Sequence, residues 1–268
     1  VSVDTYIEGT HFINFNNPYL VMKKIIRSSI SDLICKGVKP KYYFLSGSGN
    51  KKSFTKKNFF KINKSLKEEQ KKYNIVLSGG DTVYSNKLSF TITSIGFSKK
   101  IIYRNKSNIN DDIYVSGNLG DSYVGLLILK KKIKVNQKLS TYFTNQYFKP
   151  DIKYEFIDHI HKFATSSIDL SDGLIADLEK LINSLKCSYH IFFDKIPISK
   201  KMDFIIKSRN LSKKKCISNG DDYEILFTAN SKYRNVIKNF SIKKNIKITK
   251  IGKIIDSSLK SSILDRNN

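Results

Sequence analysis

Residues 166–177 read SSIDLSDGLIAD and set Asp169, Asp172 and Asp177 into a stretch that is otherwise apolar or small. The chain around them carries a formal charge of +25, so acids are the minority residue type. Carboxylates at a strand end that meets a helix start stand where open α/β sheets gather ligand groups. The same theme recurs elsewhere. Asp81 follows Gly79 and Gly80 directly after the apolar run NIVLS, Asp4 interrupts a strand-like opening, and Asp32 sits inside an apolar helical pattern. Asp221 and Asp222 occupy a turn before YEILF. Each alone has an ordinary reading: a capped helix, a tight Gly-Gly-Asp turn or a solvated helical acid. Taken together they predict aspartates converging at strand and helix ends. That is the arrangement that holds Mg²⁺ through hard oxygen ligands while substrate phosphates complete the shell.

The elements that must position these acids follow from apolar spacing. VSVDTYIEG opens as a strand. Asn17-Pro18 marks a helix start, and Val21, Met22, Ile25, Ile26, Ile30, Leu33 and Ile34 keep helical spacing up to Gly37. A strand is expected over 41–47, a lysine-rich helix from Lys52 to Tyr73, a strand over 74–78 that ends at the glycine pair, and another over 88–97. Beyond the polar SNIND segment come a strand at 112–117 and helices at 120–132, 137–148 and 152–163. The opening stretch then reads as strand, turn and helix. Ser171 is expected to cap a helix striped by Leu174, Ile175, Leu178, Leu181, Ile182 and Leu185, with Asp172 in its first turn. Strands at 188–193, 223–229 and 246–255 complete the set. The alternation argues for two α/β domains, 1–108 and 109–268.

Composition narrows the function. At 268 residues and 40% hydrophobic content a sizeable core can be buried. No apolar run approaches the roughly 20 residues that cross a bilayer. Cys35, Cys187 and Cys216 are far apart without CxxC spacing, and His11, His159, His161 and His190 lack metal-site spacing. Reduced thiols and a cytoplasmic location are therefore expected. The 48 basic residues are nearly all lysine, and they accompany abundant Asn, Ile, Phe and Tyr, as a drift toward A/T-rich codons produces. Arginine, the better phosphate and base-edge reader, is scarce, so a solvated surface is favoured over nucleic-acid binding. SGSGNKKS (46–53) does not satisfy GxxxxGK[ST], so any kinase chemistry must depend on metal-bound phosphates rather than a Walker lysine.

The ordered set SVD-x6-HF, SISDL, GGDT, YR, GNLGDS, IDLSDGL and GDDYEI resembles the thiamine-monophosphate kinase family, within the superfamily of aminoimidazole ribonucleotide synthetase and selenophosphate synthetase. The resemblance implies a two-domain α+β fold with an amino-terminal mixed sheet that dimerises and a carboxyl-terminal α/β domain. It implies ATP-dependent phosphorylation of thiamine monophosphate to the diphosphate, by direct in-line transfer with several Mg²⁺ ions. Carried over by position, Ser2, Asp4, Asp32, Asp81, Asp169 and Asp172 would hold metal. Gly80, Asp81, Arg104 and Ser171 would contact ATP, with Asp81, Arg104 and Asp169 central to catalysis. His11 and Asp221 would face the thiamine phosphate. Val3 stands where the family usually has Thr, Asn219 replaces a Gly, and Asp221 replaces a Glu. The usual carboxyl-terminal aromatic is not evident in SSILDRNN. The family's usual Gly-Asp-Asp segment precedes the first strand, so a natural start upstream of Val1 is expected. Alternatives are another ATP-using superfamily member, a catalytically degenerate relative or, third, a basic nucleic-acid-binding protein.

Overall fold

In the computed structural model, residues 1–264 are described; the end of the carboxyl-terminal stretch in which an aromatic was sought, 265–268, lies outside them. The elements run β1 (Ser2–Ile7), α1 (Pro18–Ile34), β2 (Lys39–Gly49), α2 (Lys56–Tyr73), β3 (Val76–Tyr84) and β4 (Ser89–Phe97). After residues 98–111 come β5 (Asp112–Ser116), α3 (Asp121–Leu129), α4 (Gln137–Phe148), β6 (Ser166–Asp169), α5 (Leu174–Ile182) and β7 (Cys187–Phe192). Then follow α6 (Lys200–Arg209), α7 (Lys213–Ile217), β8 (Ile225–Ala229), α8 (Arg234–Lys244), β9 (Ile248–Asp256) and β10 (Ser262–Leu264).

The first four strands form a mixed sheet in the order β1-β4-β2-β3, with β2 and β3 parallel and the other pairs antiparallel. The rest form a six-stranded sheet, β10-β7-β9-β5-β8-β6. Helix α1 begins where Asn17 accepts the Leu20 N–H and Pro18 occupies the first turn. All seven of its expected apolar residues are buried, and so are Lys23, Lys24, Arg27, Ser28 and Ser31, because α1 packs on the first sheet, α2 and α4 at once. One apolar core runs from the first sheet through α1 to Phe156, Phe163, Phe227 and Phe240. A second, built on Leu174, Leu178 and Leu181 of α5, Val124 of α3 and Met202 of α6, fills the far side of the six-stranded sheet.

Three expectations are corrected. The strand expected to stop before the glycines continues through Gly79, Gly80 and Asp81 to Tyr84, so Gly-Gly-Asp is mid-strand and not a turn. The glycine is needed there for another reason: a Cβ on Gly80 would lie 1.9 Å from the Leu45 carbonyl oxygen, beside the register shift at Tyr43/Phe44 of β2. Gly80→Ala is accordingly expected to loosen the β2–β3 pairing at a cost of about 1–3 kcal/mol. Faster amide exchange confined to β3, with a lowered melting temperature, checks it. Second, the helix expected over 152–163 is two 3₁₀ turns, Tyr154–Phe156 and Ile160–Lys162. Its apolar residues keep helical spacing, but His159 at φ −127° lies outside the α region and separates the two turns as the residue that caps the second. Third, the helix expected from Lys52 starts at Lys56 behind the Thr55 cap, because Asn50 turns the preceding segment by accepting from the Lys52 and Ser53 N–H groups.

Candidate active site

A cavity of about 370 Å³ opens between β1, α1, the end of β6 and the segment 219–223. Along β1, side chains alternate, so Ser2, Asp4 and Tyr6 face α1 while Val3 and Thr5 face away. Helix α1 answers with Lys24, Ser28 and Asp32, spaced four apart and therefore on one stripe. Ser28 donates to Tyr6 Oη at 2.6 Å, tying helix to strand. The Ser2 hydroxyl lies between two carboxylates, 2.8 Å from Asp32 Oδ2 and 3.5 Å from Asp4 Oδ2. Asp169 ends β6 and is 3% exposed, with the Ser31 hydroxyl as a hydrogen-bond partner.

The electrostatics report an acid set short of counter-charge. Burial first, then the neighbouring Asp32, pushes Asp4 up to about 6. The same two causes push Asp169 well above the ordinary carboxylate range. The cavity's one buried cation, Lys24, is already engaged: its Nζ lies 2.8 Å from Asp221 Oδ1 and 3.7 Å from the centre of the Tyr147 ring. Tyr223 Oη donates to the same Asp221 oxygen at 3.1 Å. His11 stands exposed at the rim, its Nδ1 accepting from the Ile7 N–H at 3.0 Å, which leaves Nε2 to carry the proton. Crowded oxygens and one spoken-for amine suit hard cations and phosphate oxygens. Among the described residues, no three His, Cys, Asp or Glu side chains close into a metal cage. Mg²⁺ is ordinarily held by one or two carboxylates plus phosphates and water, and this donor set fits that use.

Known proteins resemble this chain in sequence and in fold. The family model for the AIR synthase related protein, N-terminal domain, matches residues 1–98. A thiamine-monophosphate kinase of Buchnera aphidicola subsp. Acyrthosiphon pisum (strain APS) is 37% identical over 263 residues, covering 95% of this chain and 78% of the relative. The chain belongs to the thiamine-monophosphate kinase family. A member of the family from Haemophilus influenzae is 34% identical over 95% of this chain and 77% of its own length. The solved structure of AaThiL complexed with AMPPCP and TMP matches the fold with a TM-score of 0.88 at 24% identity, over 99% of this chain and 82% of that one.

Of the residues the family resemblance singled out, Asp4, His11, Asp32, Asp169, Ser171, Asp172 and Asp221 line the cavity, and Ser2 bonds to two of them. Asp172 is exposed and ion-paired with Lys180 of α5. Arg104 is exposed in the 98–111 segment, which is pinned to β6 and α5 through Tyr103 and Asn105, and it does not line the cavity. Gly80 and Asp81 stand apart. Register places Asp81 opposite Ser46, Ser46 opposite Thr91 and Thr91 opposite Thr5, so the Asp81 row lies on the sheet face away from α1. Asp4, next in sequence to Thr5, faces the other way, and this chain by itself therefore does not gather Asp81 with Asp4, Asp32 and Asp169. Asp81 borders a small cleft of about 80 Å³ with Ser46, Ser48 and Thr91 instead.

Ser171 is also corrected as a helix cap. Helix α5 begins after Gly173, without a side-chain cap of that kind; the Asp177 carboxylate takes the loop's N–H groups instead. Lys24 and Asp177 were not singled out as site residues. Lys24 hides among lysines; the signal for it was its place on the stripe of Ser28 and Asp32. Asp177 was visible as a third aspartate on the apolar side of α5.

Proposed function

We propose that this chain transfers the γ-phosphoryl group of ATP directly to the phosphate of thiamine monophosphate, giving ADP and thiamine diphosphate. The observation that carries the reading is the cavity in which Asp4, Asp32 and Asp169 converge beside His11 and Asp221 in a member of this family. The acceptor oxygen belongs to a phosphate monoester whose second pKa is about 6, so it is ionised at neutral pH and needs no protein base. A P–O bond forms to it as the bond to the β-phosphate oxygen of ATP breaks, and the protein's part is positioning and charge stabilisation. Mg²⁺, held by Ser2, Asp4, Asp32, Asp169 and Asp172 together with phosphate oxygens, would neutralise the charge on the transferring group. Ser171 meets the nucleotide, and His11 and Asp221 orient the acceptor.

We further propose a homodimer joined through the first sheet. Val3, Phe44 and Val83 stand exposed on its uncovered face, and every residue of the edge strand β3 is exposed. Such a pairing would cover Asp81 and give it a route to a second chain's nucleotide, with Gly80 beside it and Arg104 arriving from its surface segment. The same reading assigns the nucleotide and dimer functions to residues 1–108 and a second α/β part to 109–268. Support comes from the two sheets, which draw their strands from either side of residues 98–111. A cytoplasmic location goes with it: the three cysteines are free, and among the described residues no helix is long and apolar enough to cross a membrane.

The test is an assay of thiamine diphosphate and ADP formation with and without Mg²⁺. Wild type is expected to form both only with the metal and thiamine monophosphate present, and Asp81→Asn is expected to lose about 10²–10³-fold in kcat. ATP binding without diphosphate formation in the wild type refutes the substrate assignment. An unaffected Asp81→Asn refutes the role of the β3 edge.

A further inference from the structure

Asp177 is wholly buried on the first turn of α5, behind the loop that carries Ser171 and Asp172. Its Oδ2 accepts three consecutive backbone N–H groups, from Ser171 and Asp172 at 2.9 Å and from Gly173 at 3.1 Å. Its Oδ1 meets Lys180 Nζ at 2.9 Å, and Lys180 also holds Asp172. Consecutive N–H groups form the kind of concavity that elsewhere takes a ligand anion. Here an internal carboxylate fills it, so Ser171 has only its hydroxyl left for a nucleotide.

The other side of the same loop is held by the acceptor-facing segment. The Ser171 carbonyl accepts the Asp221 N–H at 2.9 Å, the Leu170 carbonyl accepts the Tyr223 N–H at 2.9 Å, and the Leu170 N–H donates to the Glu224 carbonyl at 2.8 Å. Contact between the two segments is too close for side chains: a Cβ on Gly220, at φ +65°, would sit 2.0 Å from the Ser171 oxygen, and one on Gly173, at φ +122°, 2.6 Å from the Ser218 carbonyl oxygen. Loop 170–173 is thus fixed by the N–H groups of Ser171, Asp172 and Gly173 to one buried acid, and by the Leu170 N–H and the Leu170 and Ser171 carbonyls to the backbone around Asp221.

We infer that Asp177 is a positioning residue that sets both halves of the cavity at once, the Asp169–Asp172 side and the Asp221 side. The inference rests on reading the cavity as the site for ATP and thiamine monophosphate. Loss of the acceptor lets the loop shift, and misplacement by about 1 Å is worth roughly 10²-fold in rate.

Binding of the unhydrolysable analogue AMPPCP with Mg²⁺, and separately of thiamine monophosphate, is measured by calorimetry for wild type, Asp177→Ala and Asp177→Asn. Asp177→Ala is expected to weaken both ligands together by about 10²-fold, which corresponds to the loss of one to two hydrogen bonds to a charged group. Asp177→Asn keeps an acceptor oxygen but loses the charge, and should restore both to within about tenfold of wild type. Amide exchange at Ser171, Asp172 and Gly173 should quicken in both variants, most in Asp177→Ala. A purely structural role lowers the melting temperature while the folded fraction binds as wild type does. That result overturns the inference, as does loss of one ligand alone. Should Asp177→Ala not fold, Asp177→Asn decides: unchanged binding and exchange sink the proposal. A wild type that binds neither ligand refutes the functional reading instead, and the amide exchange still shows whether Asp177 holds the loop.

Discussion

Asp169→Asn should abolish phosphoryl transfer, by about 10³-fold in kcat, and at neutral pH without Mg²⁺ should melt above the wild type. The two effects share one cause. Asp169 is a buried carboxylate at the end of β6, and burial together with Asp32 raises its folded-state pKa well above the unfolded value near 3.8. Between those two values the native state binds the proton that the unfolded state has released. The Asp169 contribution to stability is therefore greatest below about 3.8 and falls as pH rises toward the raised folded value, at up to about 1.4 kcal/mol per pH unit. Asparagine has the same shape and no charge to desolvate, so it removes this slope. Melting curves from pH 4 to 8 should show wild type and variant converging at the acid end and parting as pH rises. Adding Mg²⁺ and ATP should close the gap by stabilising only the wild type. A variant less stable than wild type throughout the range would show that the carboxylate is not strained by burial. A variant that turns over at close to the wild-type rate would remove Asp169 from the catalytic set.

The strained acid and its neighbours were largely legible in the sequence, because the signal was chemical. Aspartates at strand and helix ends are rare in a lysine-drifted chain, and Asp4, Asp32, Asp169 and Asp221 do meet at one cavity. Asp32 shows the limit of local reading. By spacing alone it was as easily a solvated helical acid, and only the packing of α1 on β1 directs it inward. Face and register were less legible. Nothing in NIVLSGGDTVY distinguishes a strand that stops at the glycines from one that runs through them; that depends on how closely β2 approaches Gly80. The same strand parity turns Asp81 away from Asp4. Ser171 fits the rules for a helix cap, yet a competing acceptor three residues inside α5 takes the loop's N–H groups. Helices α6, α7 and α8 were not anticipated, since lysine occupies so many of their positions that the apolar stripe of α8 shrinks to Ile237 and Phe240.

Helix α1 brings Lys24 and Asp32 to the cavity, and Glu69→Met should release it, costing about 3–5 kcal/mol. Glu69 of α2 is 1% exposed and binds two buried cations of α1: Lys23 Nζ at 2.7 Å, and Arg27 through Nε at 2.8 Å and Nη2 at 3.1 Å. Burial alone would push Glu69 up, but hydrogen bonds from Arg27 and then Lys23 outweigh it and hold the carboxyl below its usual range. An acid depressed on folding contributes stability above its unfolded value of about 4.5 and loses it as pH falls toward the lower folded value. The penalty of Glu69→Met, read from urea midpoints, should therefore be full at pH 7 and shrink in acid. Most of it is the cost of two orphaned cations rather than of a lost attraction. Lys23 retains Glu68 at 2.9 Å, and Arg27 retains the Pro150 carbonyl at 3.1 Å and the Tyr73 ring, whose centre lies 5.8 Å from its Cζ. The double variant Arg27→Met/Glu69→Met removes the worse orphan and replaces ions with apolar volume, so it should recover a large share of the loss. If the double variant is instead as unstable as the sum of the two single ones, Arg27 and Glu69 are not coupled and the account by orphaned charge fails. Recovery with unaltered ligand binding would show that α1 needs the interior filled at this point and not charged.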